Sequence, residues 1–199
     1  MVPRAELFES DSYMLRRKVL KLLGAEFHIY SDESMENIIG YSKQKALVFK
    51  EELRVYSDES QSTKLLTIKQ KEVFDFAGNF GLVDGQTGES LGSIRRKGLK
   101  SLLKDSWVVL DLTGNEIGTL GEDNGGKALV RRVVPFGSLL MPQQFVLRIN
   151  GASGGVTFTQ KMNPIVHKLL VSGVLSSGID PRLVAGAAVL LIAIEGKQE

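Results

Sequence analysis

The sequence predicts a mainly β fold, a closed antiparallel β-barrel of about 12 strands around a central apolar C-terminal α-helix. Three observations support this prediction: a segment without polar side chains near the C-terminus, a repeat of 26 residues, and apolar residues that alternate around short polar turns. The chain has 199 residues, which is enough for one domain with a sizeable core. Residues 1–12 are expected to form a loosely ordered lead-in, and residues 13–199 a single barrel domain.

The core helix is predicted over residues 181–195. Asp180 is a suitable N-cap and Pro181 suits the first helical position, while Leu183 to Ile194 contains no polar side chain. A helix that is apolar on every face has to be buried. Its apolar part spans only about 18 Å, short of the ~30 Å hydrocarbon core of a bilayer, so no transmembrane span is predicted.

The repeat predicts successive β-hairpins. The segment Tyr-Ser-Asp-Glu-Ser occupies residues 30–34 and again residues 56–60. A weaker third copy places Asp84 in step, and a fourth copy, with Asp111, has slipped by one residue. Each unit is predicted as strand, acidic turn and strand, because Ser, Asp, Asn and Gly favour tight turns. The apolar phase between the copies is imperfect, which predicts β-bulges or altered loop lengths.

A further hairpin is predicted around residues 150–155, where apolar residues alternate on both sides of a polar turn. These residues are Phe145, Leu147, Ile149, Val156 and Phe158. Antiparallel strands avoid exposed edges by closing into a barrel. A barrel wider than about eight strands has an interior that strand side chains do not fill, and the helix at 181–195 would fill it.

Several segments carry a resemblance to a known family: lysine-rich strand ends, Leu91–Lys97 followed by Trp107–Asp111, and the Asp180–Leu183 helix start. With the predicted architecture, they resemble the tubby-like superfamily, which includes tubby C-terminal domains, LURP-one-related proteins and phospholipid scramblases. The resemblance covers the chain from about residue 13 to residue 195. It implies a non-enzymatic, peripheral protein that binds anionic phospholipid or phosphoinositide. Phospholipid scrambling ranks last, because the chain has no cysteine, only five prolines and no Asp-x-Asp-x-Asp-Gly run.

A basic cluster supplies candidate residues for lipid binding. Five cations lie within ten residues that contain no acid, beside leucines at helical spacing and the single tryptophan. The candidate lipid-binding residues are Arg95, Arg96, Lys97, Lys100, Lys104 and Trp107, with a candidate secondary basic patch at Arg131, Arg132, Arg16 and Arg17. Neighbouring strand residues face opposite sides, so only one arginine of each pair can point into the barrel. The alternative for the main cluster is a solvated strand end followed by a helical turn.

The composition disfavours catalytic and metal-dependent functions. Without cysteine and with only two histidines, the chain offers little for a metal site, and neither histidine has a serine and an acid at a recognisable spacing. The segment 121–128 matches a phosphate-binding loop, but Ala128 replaces the hydroxyl that holds magnesium. No enzyme activity, metal or cofactor is therefore expected. His28 is expected to face solvent, opposite to Phe27 and Ile29.

A second hypothesis is a soluble scaffold or protein-interaction barrel with an unidentified protein partner and no lipid role. Nucleic acid is disfavoured as a partner, because the formal net charge is only +2 and no exposed aromatic ladder is evident. The N-terminal residues contain no apolar region of the kind found in signal peptides. We therefore expect a cytoplasmic protein that can attach peripherally to a membrane.

Overall fold

The computed structural model describes residues 5–20, 24–45, 52–71, 78–97, 106–122, 143–161 and 166–194. These residues form two helices and twelve strands. The helices are α1 (Glu6–Glu9) and α2 (Pro181–Ile194). The strands are β1 (Ser12–Leu20), β2 (Gly24–Tyr30), β3 (Ile38–Lys45), β4 (Leu53–Tyr56), β5 (Lys64–Gln70), β6 (Asn79–Asp84), β7 (Ser90–Arg96), β8 (Ser106–Leu110), β9 (Glu116–Glu122), β10 (Gln144–Ile149), β11 (Gly155–Lys161) and β12 (His167–Ser172).

The twelve strands form a closed barrel in sequence order. Each strand pairs antiparallel with the next, and β1 pairs with β12 through contacts such as Tyr13 opposite Val171. Closure gives each of the described strands two hydrogen-bonded neighbours, as expected for antiparallel strands that avoid exposed edges. The predicted mainly β barrel is confirmed.

Helix α2 lies in the barrel core. Every residue from Leu183 to Ala193 is buried, and α2 contacts β1 and β12 as well as β5, β6 and β7. The helix approaches the wall closely at Gly186, where a Cβ atom would lie 2.7 Å from Cδ2 of Leu82. Asp180 caps the helix, because its carboxylate accepts a hydrogen bond of 2.9 Å from the amide of Arg182.

The 26-residue repeat corresponds to four hairpins with a shared turn chemistry. In each turn an aspartate carboxylate accepts a hydrogen bond from the amide two residues later, which fixes the turn locally. These pairs are Asp32 with Ser34, Asp58 with Ser60, Asp84 with Gln86, and Asp111 with Thr113. A shift of register precedes every one of the four turns, at residues 29–30, 55–56, 82–83 and 109–110. These shifts are β-bulges or similar irregularities, in agreement with the imperfect apolar phase of the repeat.

The start of the chain differs from the prediction of a loosely ordered lead-in over residues 1–12. Residues 6–9 form α1, in which Leu7 is fully buried and Phe8 is 5% exposed. Both side chains belong to the same core as α2, and α1 contacts α2. For residues 5–12 the prediction is wrong, because the apolar pair of α1 packs on the core helix.

Candidate functional site

The predicted basic cluster at residues 95–107 is divided between the two faces of the barrel wall. Arg96 shares a face of β7 with the buried Ile94, because residues two apart in a strand point the same way. Its register partner on β8 is Trp107, and the Arg96 guanidinium carbon lies 5.8 Å from the centre of the indole ring. Trp107 is only 2% exposed. This large apolar ring packs in the core. A position of Trp107 near a membrane interface stays a prediction from the sequence.

The other described cations of this cluster differ in their surroundings. Arg95 lies on the outer face, where its Nη2 atom is 3.4 Å from Oε1 of Glu116. Lys97, the residue after β7, is exposed. Lys100, Lys104, Arg131 and Arg132 lie outside the described residues. In the described part of this cluster, one outer cation is thus already paired with a carboxylate.

Arg16 and Arg17 of the candidate secondary patch also point to opposite faces. Arg17 shares the inner face of β1 with Leu15 and is 7% exposed, and its register partners are Phe27 and His167. Burial lowers the pKa of its guanidinium group. Arg16 points outward and is partly exposed. Only Arg16 of this pair can therefore contact a ligand on the outer surface.

Arg16 is part of a line of three cations across three adjacent strands. It lies directly opposite Lys168 of β12, which in turn lies opposite Lys161 of β11. All three side chains point outward, because the residues next to them in each strand point inward and neighbouring residues of a strand face opposite sides. Opposite residues on neighbouring strands have Cβ atoms about 5 Å apart. We call Arg16, Lys168 and Lys161 the basic row.

A neighbouring line of outward residues, two positions further along β1, has charges of alternating sign. Lys18, Glu26 and Lys43 follow one another across β1, β2 and β3. The Glu26 carboxylate lies 3.9 Å from Lys18 and 3.4 Å from Lys43. Burial tends to raise the pKa of Glu26, but hydrogen bonds from Tyr41 and Lys43 outweigh it and hold this pKa below its usual value. The basic row, by contrast, places like charges directly opposite one another, which is unfavourable without a counter-ion.

On β2, the residue directly opposite Arg16 is His28, which is not part of the basic row. His28 points away from Phe27 and Ile29 as predicted, but it is 7% exposed and therefore does not face free solvent. Tyr41 packs against its ring at 5.2 Å, and Nε2 lies 2.7 Å from Oε1 of Glu59. His28 is thus covered on the outer face of the barrel.

The two copies of Tyr-Ser-Asp-Glu-Ser have the same local structure but different partners. Met35 and Gln61, at equivalent positions after the two copies, both have φ of 59°. Glu59 of the second copy contacts His28, whereas Glu33 of the first copy contacts Lys161 of the basic row at 3.2 Å. The acidic turns therefore reach over the outer wall, and one of them ends on the basic row.

Other features of the described residues are less distinctive. No group of three or more histidine, aspartate or glutamate side chains in this part of the chain could hold a metal ion. Within the same residues, no helix combines the length and the apolar character needed to cross a bilayer. A small pocket lies beside the C-terminal half of α2, lined by Phe145, Gln160, His167, Lys168, Leu169, Leu191 and Ile192.

Sequence reasoning missed Lys161 and Lys168. Each is a single lysine at the end of a strand, so neither belongs to a basic run that a sequence pattern would reveal. The alternation of β11 does predict an outward Lys161. Only closure of the barrel between β1 and β12, in the observed register, brings Lys168 beside Arg16, with Lys161 next in line.

No protein-family model, curated protein or solved structure matches the chain. The resemblance to the tubby-like superfamily therefore stays a prediction.

Proposed function

We propose that this chain is a non-enzymatic, peripheral protein that binds anionic phospholipid, either phosphatidylserine or phosphoinositide, through the basic row. The observation that carries the proposal is the alignment of Lys161, Lys168 and Arg16 on three adjacent strands of the outer wall. A phosphate group placed over the row would relieve the repulsion between these neighbouring cations. The row thus has the charge and the position that contact with an anionic surface requires.

Arg16 is suited to a phosphate ligand. Its guanidinium group has five donors in a planar fork that matches a phosphate oxygen pair. The Nε atom of Arg16 is buried and has no hydrogen-bond partner in the described structure. A ligand oxygen at the row would supply an acceptor for this donor group, and Lys168 would add a point charge next to it.

The number of cations limits the strength of attachment. At about 1 kcal/mol per cation near an anionic surface, the three residues contribute at most ~3 kcal/mol. Such binding is reversible and falls steeply with salt, because the Debye length shortens to about 10 Å at 0.1 M ionic strength. Additional contacts would be needed for tight attachment.

Co-sedimentation with liposomes tests the proposal. The native chain should sediment with phosphatidylcholine vesicles that contain phosphatidylserine or phosphoinositide, and remain in solution with phosphatidylcholine alone. Binding should decrease strongly between low and high salt. The variant Lys168→Glu should lose binding, whereas Lys97→Glu, which makes the same charge change at an exposed lysine outside the row, should retain most of it.

Two outcomes would contradict the proposal. If the native chain ignores anionic vesicles even at low salt, the chain has no lipid role, and the protein-interaction barrel becomes the better hypothesis. If Lys97→Glu reduces binding as much as Lys168→Glu, binding follows total charge and the basic row is not its site.

A further inference from the structure

We propose that Glu33 is an internal competitor for the anion site, so that the turn at residues 31–37 reduces the affinity of the basic row for its ligand. This inference rests on the proposed function and concerns regulation of the same site. It starts from the ion pair between Glu33 and Lys161, in which Oε2 and Nζ are 3.2 Å apart. Oε1 of Glu33 is also 3.2 Å from the same nitrogen, so the ammonium group contacts both carboxylate oxygens.

The contact joins distant parts of the chain and depends on barrel closure. Glu33 and Lys161 are separated by 128 residues, and they meet because β11 and β12 lie beside β1 and β2. A carboxylate is chemically similar to the phosphate that the row would bind, since both accept hydrogen bonds from ammonium groups. While Glu33 contacts Lys161, only two cations of the row, Arg16 and Lys168, have no carboxylate partner among the described residues.

Release of Glu33 does not require the turn to unfold. The turn is held by its own hydrogen bonds, from the Ser34 amide to Asp32 at 2.7 Å and from the Ser31 amide to the Asn37 carbonyl at 3.0 Å. The Glu33 and Lys161 side chains are 57% and 38% exposed. Rotation of the glutamate side chain into solvent is therefore enough to free Lys161. Exchange between the internal carboxylate and a ligand should accordingly be fast.

The second copy of the repeat provides a control within the same chain. Glu59 occupies the equivalent position of an identical five-residue segment with an equivalent turn. Its carboxylate contacts His28 instead of a cation of the row. The side-chain exposure of Glu59, 62%, is close to that of Glu33. Glu33→Gln and Glu59→Gln therefore make the same change in net charge, in the same local structure, and differ in whether Lys161 is released.

Vesicles of phosphatidylcholine with phosphatidylserine or phosphoinositide, titrated into the native chain and each variant at low salt, test the inference. Loss of the ion pair should make Glu33→Gln bind more tightly than the native chain. The gain should be only about two- to fivefold, because an exposed ion pair contributes little free energy. Glu59→Gln should change the affinity by less than half of that factor. In a Lys161→Gln background, the gain from Glu33→Gln should disappear, since the two residues interact directly.

Three outcomes separate this inference from the proposed function. Equal affinity gains for Glu33→Gln and Glu59→Gln, or a gain that persists with Lys161→Gln, would overturn the competitor role while lipid binding stands. A native chain that binds with no change in Glu33→Gln would do the same. If the native chain and all the variants ignore anionic vesicles, the proposed function and the inference are both wrong.

Discussion

Two short basic segments, Arg16-Arg17-Lys18 and Arg95-Arg96-Lys97, look alike in sequence and alternate in the same way across the barrel wall. One lies within β1 and the other at the end of β7. In each, the middle arginine points toward the core and the first arginine points outward. The segments nevertheless have different surroundings, and this difference decides which of them could bind an anion.

The neighbouring strands make the difference. Arg16 lies opposite Lys168, whereas Arg95 lies opposite Asn79 and Val108 and contacts Glu116. The local sequence sets the charge of each segment, but the register of adjacent strands sets the local density of charge. A basic run is therefore a weak indicator of a basic surface in a β-barrel, and single lysines such as Lys168 can matter more.

The largest effect is expected when a charge is placed in the core, on the inner side of the barrel wall. Ala187 is fully buried in α2, so Ala187→Lys would place an ammonium group in the core without a partner. An unpaired buried charge costs several kcal/mol, against a total stability of about 5–15 kcal/mol. We expect Ala187→Lys to be insoluble or unfolded by circular dichroism. Leu112→Lys, at a site that is 68% exposed, is the control and should fold normally. A soluble Ala187→Lys chain with cooperative unfolding would contradict the core position of α2.

The second prediction compares the two segments directly. Arg16→Glu with Lys168→Glu reverses two adjacent charges of the basic row, and Arg95→Glu with Lys97→Glu makes the same net change elsewhere. Reversing two charges, at about 1 kcal/mol per unit of charge, should weaken vesicle binding by two orders of magnitude or more in the first variant. The second variant should bind within about tenfold of the native chain, because charges outside the row affect vesicle binding only through screened long-range electrostatics. Equal losses in the two double variants would remove the distinction between the segments.

A third arginine, Arg182, shows the opposite extreme, because its neighbours are acidic. Its guanidinium group contacts Asp180 at 2.7 Å, Asp84 at 3.0 Å and Glu89 at 3.3 Å, and so ties the start of α2 to the turn between β6 and β7. Burial tends to raise the pKa of Asp84. Hydrogen bonds from the Thr87 amide, from Arg182 and from the Gln86 amide outweigh this and lower the pKa to about 2.

This network makes stability depend on pH in a defined range. The pKa of Asp84 is lower in the folded state than the usual value of about 3.9, so its contribution is complete above about pH 4 and is lost as the pH falls toward 2. Asp84→Asn should therefore lower the free energy of unfolding at pH 7 by about 2 kcal/mol. Its difference from the native chain should shrink between pH 4 and pH 2, as measured by urea unfolding. In the turn at Asp111, the described hydrogen bonds to the carboxylate come from Thr113 and Asn115 instead of an arginine of α2. Asp111→Asn should therefore cost less, and an equal cost would show that Arg182 adds nothing.

The sequence predicted the fold better than the site, for a physical reason. Strand alternation, aspartate turns and the apolar stretch of α2 are local signals, and they led to the barrel, its bulges and its core helix. Burial of Leu7 and Phe8 depends on the space left beside α2, which no local pattern describes. The basic row depends on which residues face each other across β11, β12 and β1. Register is a non-local property, so the outward cations could be predicted individually but not as a group.

The smallest predicted effect concerns the two arginines within the segment at residues 95–97. Arg96 lies over the Trp107 ring on the inner face, and such a contact contributes about 0.5–2 kcal/mol, with further packing from the aliphatic stem. Arg95 loses only an exposed ion pair when it is replaced, which amounts to about 0–1 kcal/mol. Arg96→Ala should therefore lower the urea midpoint more than Arg95→Ala does. Because Trp107 is the single tryptophan, Arg96→Ala should also shift the fluorescence emission maximum of the folded chain, and Arg95→Ala should leave it unchanged. A shift of the same size in both variants would mean that the indole does not distinguish the two faces of the wall, against the inward position of Arg96.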